Sequence, residues 1–205
     1  MIVLDHLAVA ARTLDEGALA LENALGVPLE PGGRHIQMGT HNRLLSLGPD
    51  EYLEVIAIDP EGKDPGRPRW FALDTFDGPP RLQSWIVRTD VMAEALARAP
   101  EGTGTPTLFR RDALSWTFAL PESGVQPADG LAPAVIEWGA GVPHPSTRLP
   151  DRGVRLTHLT LRHPRPDNLR AALAPLIRDP RLAIEGGAAG LVATFDTPSG
   201  PKVLA

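Results

Sequence analysis

The order strand–helix–strand–strand–strand occurs three times along this chain, and that recurrence limits its possible folds more than any other feature. The first copy opens with "LDHLAVA" (residues 4–10), a short strand of small and aliphatic side chains around His6. A helix follows. Thr13 and Glu16 form a capping-box pair, Leu14, Ala18, Leu21 and Leu25 recur at helical spacing, and Gly26 supplies the stop. Three strands come next, "GGRHIQMG", "HNRLLSLG" and "EYLEVIAID", parted by Gly-Thr and Gly-Pro-Asp turn chemistry. The second copy starts at "RLQSWIVRTD", with Asp90 as the expected cap and Met92, Leu96 and Ala99 inward. The third starts at "VRLTHLTLRH", and its helix places Leu169, Leu173, Leu176 and Ile177 on one face. Pro175 should bend or shorten that helix.

These copies give modules at residues 1–60, 82–139 and 154–205, the third shorter and less regular, within one compact unit. Residues 59–80 form a Pro- and Gly-rich connection that carries Trp70 and Phe71, an apolar pair expected to pack onto something. A second such connection runs over 139–153.

Composition removes several function classes. The net charge of -5 offers no basic footprint for nucleic acid or an anionic membrane. No apolar run is long enough to span a bilayer, and the opening residues lack the pattern of a signal peptide. With no cysteine there is no disulfide, no thiolate nucleophile and no Cys-based zinc site, which fits the cytoplasm.

Several residues have a chemical case of their own. Glu54 stands between Leu53 and Val55, and a buried glutamate is expensive unless paired or ligated. Strand alternation puts Tyr52, Glu54, Ile56 and Ile58 on one face. His41 and Asn42 could orient a polar ligand, though a turn would also explain them. Of the adjacent Arg110 and Arg111 only one can face a ligand, where it would grip a carboxylate. Trp85, Trp116 and Trp138 are candidates for the wall of an apolar cavity. His35, His144 and His163 read as structural or surface residues.

Repeated modules of this kind, each led by such a strand, resemble the vicinal oxygen chelate superfamily of glyoxalases, extradiol dioxygenases and bleomycin-resistance proteins. Within it the chain is most similar to the glyoxalase-like domain proteins, through "LDHLAVA", "GTHNRLLSLG", "EYLEVIAIDP", "RPRWFALD", "RRDALSWTFALP" and "VIEWG". The resemblance implies an α+β fold, in which βαβββ modules pair to form a cup-shaped mixed β-sheet with helices outside. It implies a small-molecule ligand in the cup, a homodimer, and one divalent metal (Fe, Mn, Ni or Zn) held by a first-strand histidine and a last-strand carboxylate from each module.

Carried over, His6 and Glu54 match in the first module, and Glu137 matches the carboxylate of the second. Trp85 stands where the second module's histidine would be, and a one-residue slip on the last strand would turn Trp138 inward instead of Glu137. If the third module faced the first, His158 would complete a two-histidine, one-carboxylate set. Two functions stay open. One is a metal-dependent lyase, isomerase or dioxygenase acting on adjacent substrate oxygens, with Glu54 moving the proton. The other is a metal-free protein that sequesters a hydrophobic small molecule.

Overall fold

The first module builds β1 (Val3–Ala10), α1 (Leu14–Leu25), β2 (Glu30–His35), β3 (Thr40–Ser46) and β4 (Tyr52–Ile58). The second builds β5 (Arg81–Arg88), α2 (Met92–Leu96), β6 (Thr105–Arg111), β7 (Leu114–Leu120) and β8 (Ala134–Trp138). The third builds β9 (Arg155–His163), α3 (Pro166–Leu173), β10 (Leu182–Gly186), β11 (Gly190–Asp196) and β12 (Lys202–Leu204). The structure, a computed structural model, describes all residues from 1 to 205.

Local chemistry accounts for most element ends. Thr13 accepts the Glu16 amide at 3.2 Å to cap α1, and Gly26 closes it in the left-handed conformation at φ 73°. The helix α3 ends at Leu173, two residues before Pro175. Asp90 does not cap α2. It binds the N-terminal ammonium at 3.0 Å, and the Met92 amide at the start of α2 donates to Glu137 Oε2 at 2.5 Å.

The first two modules fuse into one curled eight-stranded sheet, in the order β2-β3-β4-β1-β5-β8-β7-β6. Each half repeats the other: β1 is parallel to β4, β5 is parallel to β8, and the halves meet at the antiparallel β1–β5 pair. The curl brings the two ends of the sheet together. Gln37, in the β2–β3 turn, donates to Leu108 O at 3.3 Å and accepts the Arg110 amide at 3.1 Å, so its side chain pairs with the free edge of β6.

The third module forms a separate sheet, in the order β10-β9-β11-β12. It shares the element order of the others but not their pairing, since β9 lies between β10 and β11. One face of this sheet packs with α1, α3 and the convex face of the large sheet in a core of 32 buried residues, including Leu7, Leu53, Trp85, Leu159, Leu161 and Phe195. A second core of 14 residues fills the concave side, around Ile56, Trp70, Phe71, Ile86, Phe109, Trp116, Phe118 and Ile136. Strand alternation thus splits each strand between two cores, and parity decides which side chains reach the cup.

The connection 59–80 is ordered through Trp70 and Phe71, both buried in the concave core. Phe71 and Ala72 hold left-handed backbone angles, φ 58° and 55°, in the turn Trp70–Thr75. Such strain persists only where packing and hydrogen bonds fix it, and the Ala72 amide donates to Gly124 O at 3.0 Å.

Candidate functional site

The cup holds a cavity with about 460 Å³ of non-atom space counted out to its open mouth. One wall is polar: His6, His35, Asn42, Tyr52, Glu54 and Arg111. The other is apolar, built on Trp70, Phe71, Trp116, Phe118, Ile136 and Trp138.

A β-bulge shapes the floor. Leu4 pairs with Val87 and His6 with Ile86, so Asp5 is an extra residue in β1. Side chains of neighbouring residues in a regular strand point apart, but here His6 Nδ1 lies 2.5 Å from Asp5 Oδ1. Asp5 is fully buried, and its other oxygen accepts the indole N–H of Trp138 at 3.0 Å and His144 Nε2 at 2.9 Å. Arg88 stands 3.8 Å from that oxygen. The far nitrogen of His6 is 3.5 Å from Glu54 Oε1, and the ring stacks on Tyr52 with centroids 4.3 Å apart. Glu54 also accepts from Asn42 Nδ2 at 2.7 Å, and the Gly33 amide donates to Asn42 Oδ1 at 2.9 Å. Glycine is required beside this amide, since a Cβ at Gly32 would lie 2.2 Å from Asn42 Oδ1.

The buried charges balance one another. Burial opposes the charged form of His6, but the hydrogen bond to Asp5 and the adjacent Glu54 carboxylate outweigh it and push the imidazole up to about 9. Asp5 is held far below the usual carboxylate range, because its bonds to His144 and His6 overcome the cost of burial. Glu54 is lowered in the same way, against burial and by His6. His35 behaves oppositely: burial, with the nearby Arg111 and other cations adding to it, pushes it down to about 4. Its Nε2 is 3.2 Å from Arg111 Nη1 and must accept, so its proton sits on Nδ1, 3.1 Å from Thr40 Oγ1. Tyr52 is raised well above its ordinary value by burial, and its hydroxyl stays protonated.

Among the residues singled out from sequence, His6, Glu54, Asn42, Arg111 and Trp138 meet in this cavity, with Trp116 beside them. Arg110, next to Arg111, is exposed. Four residues are placed elsewhere. His41 alternates with Asn42 and lies on the opposite face of β3, half-buried. Trp85 pairs with Leu7 in the convex core, where its indole N–H donates to Leu131 O at 2.9 Å. Glu137 points away from the cup between Ile136 and Trp138, and binds the start of α2. His158 is exposed on β9, whose partners are β10 and β11, so it cannot join His6 across the cup. Asp5, His35 and His144 also carry much of the site, although from the sequence His35 and His144 read as structural or surface residues; long-range contacts to Arg111 and Asp5 bring them in. For Asp5 the signal was its place beside His6, but only the bulge brings the two side chains together.

The donor set does not fit a divalent metal shared between modules. Across the β1–β5 seam, the position facing His6 is Ile86, and the cup-facing residues of β8 are Ala134, Ile136 and Trp138. None of these can ligate. No group of three or more His, Cys, Asp or Glu side chains is placed to hold a metal ion.

Two fused βαβββ modules whose sheet curls into a cup define the vicinal oxygen chelate class. Residues 4–177 match the family model of the glyoxalase-like domain, and the chain belongs to that family. No curated protein matches it. A hypothetical protein from Staphylococcus aureus shares its fold, with a TM-score of 0.66 and 12% identity over 92% of this chain and 88% of that one. Methylmalonyl-CoA epimerase of Mycobacterium tuberculosis is 20% identical over 66% of this chain and 85% of its own, with a TM-score of 0.41. The Streptomyces coelicolor epimerase in complex with 2-nitronate-propionyl-CoA gives 16% identity, 70% and 98% coverage, and a TM-score of 0.43. No helix is long and apolar enough to cross a membrane.

Proposed function

We propose that this protein binds a small ring-bearing molecule in the cup of its first two modules, without a metal ion. The observation that carries the reading is the second half of the cup: it presents Ile86, Ile136, Trp116 and Trp138 where a metal site would need donors. His6 and Glu54 fit this assignment as buried charges that compensate one another. His6 lies between Asp5 and Glu54, and Asn42 donates to the other oxygen of Glu54. Aromatic side chains supply the apolar contact that small-molecule sites use, and the polar wall supplies orientation.

Elemental mass spectrometry of the purified, untagged protein tests the metal-free part, before and after incubation with iron, manganese, nickel and zinc. Sub-stoichiometric metal throughout is expected. One equivalent of metal that disappears in His6→Ala would refute the reading. Quenching of tryptophan fluorescence by small ring compounds tests the binding part, because Trp70, Trp116 and Trp138 all line the cavity.

A further inference from the structure

Two residues that line the cavity, Arg111 and Trp70, carry hydrogen-bond donors with no adequate acceptor in the chain. Arg111 makes no ion pair, and its one side-chain hydrogen bond is to the neutral His35 at 3.2 Å. A guanidinium carries five N–H donors, so most of its capacity is unused. Trp70 is only 4% exposed, and its indole N–H is buried with no hydrogen-bond partner. A buried donor left unpaired costs free energy, which an acceptor from outside the chain would relieve.

His35 packs against both residues. His35 touches Arg111 through Nε2, and its ring lies edge-on to Trp70 with centroids 5.1 Å apart and to Trp116 at 6.0 Å. Gly33 keeps room for the guanidinium, since a Cβ there would fall 2.9 Å from Arg111 Cδ, Cζ and Nε. The cavity is also lined by Phe71, Trp116, Phe118 and Trp138.

We propose that the ligand is an aromatic carboxylic acid, its carboxylate received by Arg111 and the Trp70 indole N–H and its ring held by the tryptophan and phenylalanine wall. This rests on the metal-free binding reading and names the ligand class for that same cavity. An acceptor is needed for both donors, a negative charge for the unpaired guanidinium, and a flat apolar body for the wall.

Isothermal titration of the wild-type protein with benzoate, phenylacetate and 2-naphthoate, each beside its neutral amide, tests it. At least one acid should bind, and its amide at least tenfold more weakly. Arg111→Gln should weaken the acid by roughly ten- to a hundredfold, the worth of a lost charge-assisted bond. Trp70→Phe keeps the ring, removes the donor, and should weaken the same acid by several-fold. Acid and amide binding equally to wild type would overturn the proposal while leaving metal-free binding in place. So would no binding of any of the three acids at millimolar concentration. Acid binding that requires added metal would instead overturn the reading on which it rests. The wild-type acid–amide comparison does not depend on any variant folding.

Discussion

Replacing Asp5 with asparagine is the sharpest probe of the charged floor. Asp5 is fully buried and holds His6 at 2.5 Å, His144 at 2.9 Å and Trp138 at 3.0 Å. His6 is raised from 6.5 to about 9, and that difference corresponds to about 3 kcal/mol of preference for the charged ring, shared between Asp5 and Glu54. Asparagine removes the charge and presents an NH₂ group either to His6 or to the two donors of His144 and Trp138. It therefore loses most of the His6 pairing and at least one hydrogen bond. Breaking a buried pair from one side costs about 3–5 kcal/mol, and the same range is expected here. Urea unfolding at pH 7 measures it, with the His6 ring followed by NMR titration. His6 should then titrate well below 9. A loss under about 1 kcal/mol with His6 still titrating near 9 would refute the account of Asp5 as its principal counter-ion.

The remaining expectations follow from the same geometry. His6, raised to about 9, contributes stability that is whole below pH 6.5 and lost as pH rises through 9; His35, lowered to about 4, costs stability as pH falls from 6.5 towards 4. Asp5 and Glu54, both lowered, add to the acid loss, so the melting temperature should peak near pH 6.5; His35→Gln should flatten the acid limb and His6→Gln the alkaline one. Gly17→Ala would place a Cβ 2.5 Å from Val55 Cγ1 and 2.6 Å from Ala11 Cβ, forcing α1 off β4; a loss of about 1–3 kcal/mol in denaturant unfolding is expected. His158→Ala should change stability by no more than about 0.5 kcal/mol and leave ligand titrations of the cup unchanged, because the side chain is exposed on the other sheet. Glu137→Ala should cost about 1 kcal/mol through loss of the acceptor for the Met92 amide, with no change in ligand affinity.

Most of the framework was legible because it is local. Thr13, Glu16 and Gly26 specify one helix within a single stretch, and Pro175 limits another. Alternation placed Tyr52, Glu54 and Ile56 on one side of β4, and the structure keeps them in the cup. Asp90 does not cap α2, because Glu137, from a strand distant in sequence, takes the Met92 amide instead.

The sequence by itself determined the repeated strand–helix–strand order, the paired-module fold, and the shared face of Tyr52, Glu54 and Ile56 on β4, because period-two alternation within one strand needs no knowledge of what lies opposite. Tertiary structure decided the rest. Trp85 and Glu137 were lost from the site by parity, for a strand's two faces look alike until both cores are known. Asp5 entered through a bulge that only the pairing of β1 with β5 creates. His35 and His144 became part of the site by contacts 76 and 139 residues away in the chain. His158 shares the sequence texture of His6, yet β9 pairs within its own sheet, so two similar strands end on different surfaces.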